Sequence, residues 1–174
     1  MTSKRLLDGA LAGFTATVPM TAAMLSLHRA LPARERHALP PRRITMRAAR
    51  KARVAHQLDE ENRTAATYAA HFGYGTAAGA VYGALAPHVP GKPLAKGTSY
   101  GLLVWAFSYL GLLPALDLHR PATREPAGRN ALMIVAHVVW GATLGMMTDR
   151  LTQGWGGRSS RGSSIRRLRV VGAR

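Results

Sequence analysis

The sequence predicts an all-α integral membrane bundle of four transmembrane helices. Three features carry that expectation: long stretches without ionised side chains, stretch lengths that match a bilayer, and glycines repeating at helical spacing. The 174 residues hold 24 Lys+Arg against 8 Asp+Glu, a formal net charge of +16. No Asp, Glu, Lys or Arg occurs in the 20 residues between Asp8 and Arg29, the 28 between Arg63 and Lys92, the 20 between Lys96 and Asp117, or the 19 between Arg129 and Asp149. Those stretches make up 87 residues, half the chain, so every charge falls in the other half. At 18% charged residues a given 20-residue stretch is charge-free about 2% of the time, which makes four of them no accident. A helix in water keeps one face polar, and over 20 residues that face normally carries charge. The pattern excludes an ordinary soluble globule, a disordered basic chain and a collagen-like repeat.

A hydrocarbon core about 30 Å thick needs roughly 20 apolar residues at 1.5 Å rise. The spans are expected at about residues 6–27, 64–86, 98–116 and 130–148, within a membrane domain over residues 1–148. The first span contains Pro19, whose freed backbone carbonyl Thr15, Thr17 or Thr21 can re-satisfy. The N-terminal Met1-Thr2-Ser3-Lys4-Arg5 and its apolar run read as an uncleaved span rather than a secretory signal, because the run is long and ends in Leu27-His28-Arg29 without a small-x-small site. Residues 28–63 form a basic loop with 10 Lys/Arg. Pro32, Pro40 and Pro41 are expected to keep its start extended, with Thr45 capping a helix from Met46 to Leu58 that lies on anionic headgroups or in solvent. The second span, rich in Ala, Gly and Tyr, is the least hydrophobic. Residues 149–174, with seven Arg and a Gly/Ser-rich stretch, read as a flexible basic tail.

Two segments share the pattern His-x-x-aromatic-Gly-x-x-x-Gly: His71 with Tyr74, Gly75 and Gly79, and His137 with Trp140, Gly141 and Gly145. Leu25-Ser-Leu27-His28-Arg29 and Leu116-Asp-Leu118-His119-Arg120 end spans one and three alike. Two tandem helical pairs would account for both similarities, as would chance in an Ala/Gly/Leu-rich chain. On a helix, residues four apart share a face, so His71, Gly75, Gly79 and Gly83 form one stripe, His137, Gly141 and Gly145 a second, and Gly9 and Gly13 a third. Glycine stripes let helix backbones approach in lipid, and helix packing is their expected role. Each histidine therefore faces protein rather than lipid. An imidazole there needs partners for its N–H and its lone pair, for which Tyr74, Tyr82, Tyr109, Ser108 and backbone carbonyls are candidates. The two histidines either fix helix register or line a polar path or pocket.

Other chemistry finds little footing. With no Cys, thiolate sites and disulfides are excluded. The seven His are scattered with no His-x2-His or His-x3-His pair, so no metal and no other cofactor is expected. No Gly-x-Ser-x-Gly and no phosphate-cradling Gly-rich loop occurs, so no catalytic residue is assigned and the chain reads as a non-enzyme. The expected partners are the lipid bilayer, anionic headgroups against the basic loop and tail, and a second copy or another membrane protein. The closeness of the basic segments to the spans argues for lipid over nucleic acid.

Gly9-x-x-x-Gly13, Pro40-Pro41-Arg42, His71-Phe-Gly-Tyr-Gly, Trp105 ahead of Pro114, and the segment from His137 to Gly145 together resemble the YagU-like family of small bacterial inner-membrane proteins. The resemblance covers roughly residues 6–148 and implies a multi-span inner-membrane protein without assigned chemistry; the basic tail has no counterpart in it. Lys/Arg counts of 11 and 13 on the two sides leave orientation undecided by charge bias, and both termini are placed in the cytoplasm because the basic tail has no evident reason to be translocated. Two functions follow: a His-containing bundle that passes or senses a small solute or proton, or a scaffold subunit that pairs through its Gly-x-x-x-Gly stripes.

Overall fold

A computed structural model describes residues 2–171, with side chains described for residues 3–153. Among the described residues the chain is all-helical, with no strand. Four long helical stretches run back and forth. They are α1 (Thr2–Ala30), α3 (Glu60–Leu85), the stretch begun by α4 (Pro93–Ala106) and finished by the short α5 (Leu113–Ala115), and α6 (Ala127–Val171); α2 (Pro40–Lys51) lies in the first long connection. Two regions, Ser3–Ala30 and Ala127–Gln153, are helices long and apolar enough to cross a membrane. The Ala/Gly/Tyr composition of α3 and the break in the third stretch keep the other two apart from that class. The expected tail lies, from residue 154 on, outside the described side chains.

The helix ends follow local chemistry. Asp59 caps α3 by accepting the Asn62 N–H at 2.8 Å, and Glu60 and Glu61 place negative charge on its first turn, where the helix dipole favours it. Contrary to expectation, α2 begins at Pro40 and Thr45 lies inside it. A proline in the first helical turn forfeits no hydrogen bond, so the Pro40-Pro41 pair starts the helix instead of holding the chain extended. The helix stops at Lys51, and Arg53 turns left-handed at φ 60° just beyond it. In α1 the helix continues through Pro19, but the threonines do not repair it as expected. Thr15, Thr17 and Thr21 donate to the Leu11, Gly13 and Thr17 carbonyls, each one turn back, and not to the Thr15 carbonyl that Pro19 frees.

Packing arranges the long stretches as two pairs, α1 with α3 and α4 with α6, joined by α1 against α6. Each pair crosses at its glycines. A Cβ built on Gly9 would stand 2.8 Å from Gly83 Cα, and one on Gly79 would stand 2.6 Å from Gly13 Cα. In the second pair a Cβ on Gly97 would come 2.7 Å from Gly145 Cα, and one on Gly141 would come 3.0 Å from Gly101 Cα. These are backbone atoms at less than van der Waals distance, so only glycine permits the approach. Gly97-x-x-x-Gly101 is the fourth stripe, unremarked in the sequence although its spacing is the same.

The crossings also fix how the two pairs correspond. Gly13 stands against Gly75 and Gly79, whereas Gly101 stands against His137 and Gly141. His137 therefore occupies the place of Gly75, one turn away from the correspondence with His71 that the shared motif suggests.

The interior is made of small and flexible residues, with Ala12, Ala16, Met24, Ala136, Trp140 and Leu144 essentially enclosed, and it also holds Thr17, Ser108 and His137. Large apolar side chains point outward on every long stretch: Leu7, Leu11, Phe14, Val18 and Leu25 on α1, Val81 and Leu85 on α3, Leu103 and Phe107 on the third stretch, Val135 and Met146 on α6. Apolar outside and partly polar within is the reverse of a water-soluble core.

Candidate functional site: a cavity between two histidines

The third stretch is not a plain α-helix. Residues Phe107–Leu112 form a π-turn in which the Leu113 N–H reaches the Ser108 carbonyl, five residues back. Pro114 follows and has no N–H to offer the Leu110 carbonyl, so wider winding ahead of it accommodates the missing bond. The extra residue pushes Ser108, Tyr109 and Leu112 toward the bundle axis, where they form one wall of a cavity of about 310 Å³.

The other walls come from every remaining helix. Thr17 and Met20 of α1, His71 and Tyr74 of α3, and Met133, His137 and Trp140 of α6 face it. Pro41, Ile44 and Thr45 of α2 close one end. The α2 segment thus turns its apolar edge to the cavity and its arginines away. Three of these anchor it: Arg42 to Glu60 at 2.7 Å, Arg43 to Glu125 at 3.4 Å and Arg47 to Asp117 at 2.5 Å. The same end is held by Arg129, buried at 4% exposure, which donates to the Glu35, His37 and Ala38 carbonyls at 2.9–3.1 Å and to Glu125 at 3.3 Å. Sequence reading passed over Arg129 because a lone basic residue before a span looks like any flanking charge.

The structure brings His71 and His137 to one cavity but gives them different roles. The Nδ1–H of His137 donates to the Met133 carbonyl at 2.7 Å, and the Tyr109 ring meets the imidazole edge-on at 5.9 Å. The Nε2 of His71 is buried without a hydrogen-bond partner. Of the candidate partners, a backbone carbonyl bonds His137, whereas no tyrosine or serine hydroxyl among them bonds either ring. Tyr74 and Ser108 bond each other at 2.7 Å, Tyr82 packs against Tyr100, and the Tyr100 hydroxyl donates to the Ala78 carbonyl. Trp140 donates its Nε1–H to the Gly13 carbonyl at 3.3 Å, tying α6 to α1 and closing the cavity toward the glycine crossings. Beyond that layer Ala12 and Leu144 are fully buried. Asp8 bonds Lys4, and Asp117 holds Arg47 and Lys51, so neither carboxylate joins the histidines. Among the described residues no three His, Asp or Glu groups are placed to hold a metal ion.

Gly75, Gly79 and Gly83 face Gly9, Gly13 and the Arg5 carbonyl, and Gly141 and Gly145 face Gly97, Gly101 and the Pro93 carbonyl. All the predicted glycine stripes are therefore used inside this chain.

A family model described as a family of unknown function (DUF6789) matches residues 3–155. The chain belongs to this family. The matched region of the DUF6789 chain contains all four long stretches up to Gln153, α2 and every residue around the cavity. No curated protein and no solved structure matches the chain.

Proposed function

We propose that this DUF6789 protein is a non-enzymatic, multi-span protein of the plasma (inner) membrane that binds a small lipophilic molecule between His71 and His137. The membrane reading draws on the two long apolar helices and on the apolar outward faces of all four stretches. With four spans both termini lie on one side, taken as the cytoplasmic one.

The observation that carries the binding reading is the unpartnered Nε2 of His71 beside a 310 Å³ cavity. A buried imidazole nitrogen without a partner costs about 1–3 kcal/mol, a deficit that a ligand hydrogen-bonding group would cancel. The walls set the rest of the ligand's chemistry: Met20, Ile44, Val104, Leu112, Leu113 and Met133 ask for a mainly apolar body. A through-path for a proton or polar solute has less support, because the Trp140–Gly13 layer and the enclosed Ala12 and Leu144 lie across its way. The scaffold reading has lost the surface it relied on, since the glycine stripes face one another within the chain.

The test is the full chain purified in detergent and titrated with lipophilic compounds bearing one carbonyl, hydroxyl or carboxyl group, followed by tryptophan fluorescence. Trp140 on the cavity wall reports occupancy. Saturable quenching in the parent that weakens in His71→Leu supports the proposal. Equal responses in parent and variant, or none in either, refute it.

A further inference from the structure

A second concave site lies on the opposite face of α2, and its chemistry differs from that of the cavity. It has a volume of about 280 Å³ and is lined by Arg42, Arg43, Arg47, Arg50, His119 and Arg120, together with Ala38, Met46 and Leu118. No carboxylate lines it. We propose that this pocket binds a phosphate group.

The arginines divide into two sets. Arg42, Arg43 and Arg47 are held from the rim by Glu60, Glu125 and Asp117, which fixes the guanidiniums without filling the pocket. Arg50 and Arg120 have no side-chain partner among the described residues, and both are exposed. Behind them His119, 6% exposed, donates its Nδ1–H to the Arg120 carbonyl at 2.7 Å, and its Nε2 is buried without a partner.

Five guanidiniums line the pocket, and two of the three rim carboxylates are shared with Lys51 and Arg129. The pocket therefore keeps a net positive charge suited to a phosphate monoester, which carries about −1.5 to −2 near neutral pH. Guanidinium forks match the paired oxygens of a phosphate, and arginines already held in place lose little freedom on binding one. The lining holds no Phe, Tyr or Trp on which a base could stack, so the site suits an isolated phosphate rather than a nucleic acid strand.

A lipid headgroup and a free phosphate share this chemistry. The pocket sits on the helix that closes one end of the cavity within the bundle, so the lipid source rests on the membrane reading, whereas phosphate recognition itself does not.

The experiment is calorimetric titration of the full chain in a maltoside detergent at fixed ionic strength, with inorganic phosphate and with a short-chain phosphatidic acid as separate probes. The variants are R50Q/R120Q and a charge-matched control, R34Q/R124Q; all four arginines in the two variants are exposed and without side-chain partners among the described residues. Binding of both probes to the parent, weakened about tenfold or more in R50Q/R120Q and unchanged in the control, supports a site for any phosphate. Binding of phosphatidic acid alone, with the same pattern across variants, supports the lipid source. Binding of neither probe overturns the proposal, as does an equal loss in both double variants, which would mark a diffuse charge effect.

Discussion

Replacing Gly79 by alanine perturbs the bundle at one of its glycine crossings. The added Cβ would lie 2.6 Å from Gly13 Cα and 2.9 Å from Gly13 N, both on a neighbouring backbone that no rotamer change can move. Carbon atoms settle about 3.5–4.0 Å apart, so α1 and α3 must separate by roughly 1 Å. A gap of about 0.5–1 Å already forfeits a quarter to a half of each contact's attraction, and overpacking of this kind typically costs about 1–3 kcal/mol. Against that, alanine in place of glycine favours the helix by about 0.5–1 kcal/mol. Gly73, two turns away on the same helix, isolates the favourable term because a Cβ there meets nothing within 4 Å. Gly73→Ala should therefore match or exceed the parent in stability, and Gly79→Ala should fall about 1–3 kcal/mol below Gly73→Ala. Equilibrium unfolding in mixed detergent micelles, followed by tryptophan fluorescence, measures the difference. If Gly79→Ala is as stable as Gly73→Ala, the glycine crossings do not hold the pairs together.

Other outcomes follow from the same geometry. His71→Phe removes an unpartnered buried nitrogen and fills part of the cavity, so unfolding experiments should find it at least as stable as the parent while ligand-dependent quenching is lost. Arg129→Met should cost about 3–5 kcal/mol in the same assay, because it strands three carbonyls and leaves the buried Glu125 carboxylate with only its longer contact to Arg43. Burial holds the His119 pKa below its ordinary 6.5. The unfolded chain then binds the extra proton first, so stability supplied at this position is complete above pH 6.5 and declines as pH falls below it; His119→Gln should flatten that part of a stability–pH curve. Asp117, whose carboxyl is held below its ordinary 3.8 chiefly by its hydrogen bond to Arg47, adds a further loss only below about pH 3.8. Asp117→Asn should remove it from an acid-unfolding curve.

Much of the helical architecture was legible because charge and glycine spacing are linear signals. Asp8, Arg29, Arg63, Lys92, Lys96, Asp117, Arg129 and Asp149 bracket stretches that coincide with the four long helical runs. The i, i+4 repeats of Gly9, Gly75 and Gly141 fall where backbones cross. What escaped notice depends on relations that one-dimensional reading does not contain. The shared His-x-x-aromatic-Gly motif paired His71 with His137, but register is set by which backbone faces which, and that pairs His137 with Gly75. Thr45 looked like a cap because it precedes an apolar residue, although two prolines upstream had already started α2. The ring of carbonyls around Arg129 closes through residues more than 90 positions away, and the π-turn before Pro114 is a change of winding that leaves no spacing signal; between them they shape and seal the cavity.

The account stands on the outward apolar faces of the helices being covered by lipid. Alkaline carbonate extraction of membranes from cells expressing the full chain, followed by high-speed sedimentation, measures this directly. The protein should remain in the pellet and enter solution only with detergent. Recovery in the supernatant as a monodisperse species without detergent would contradict it.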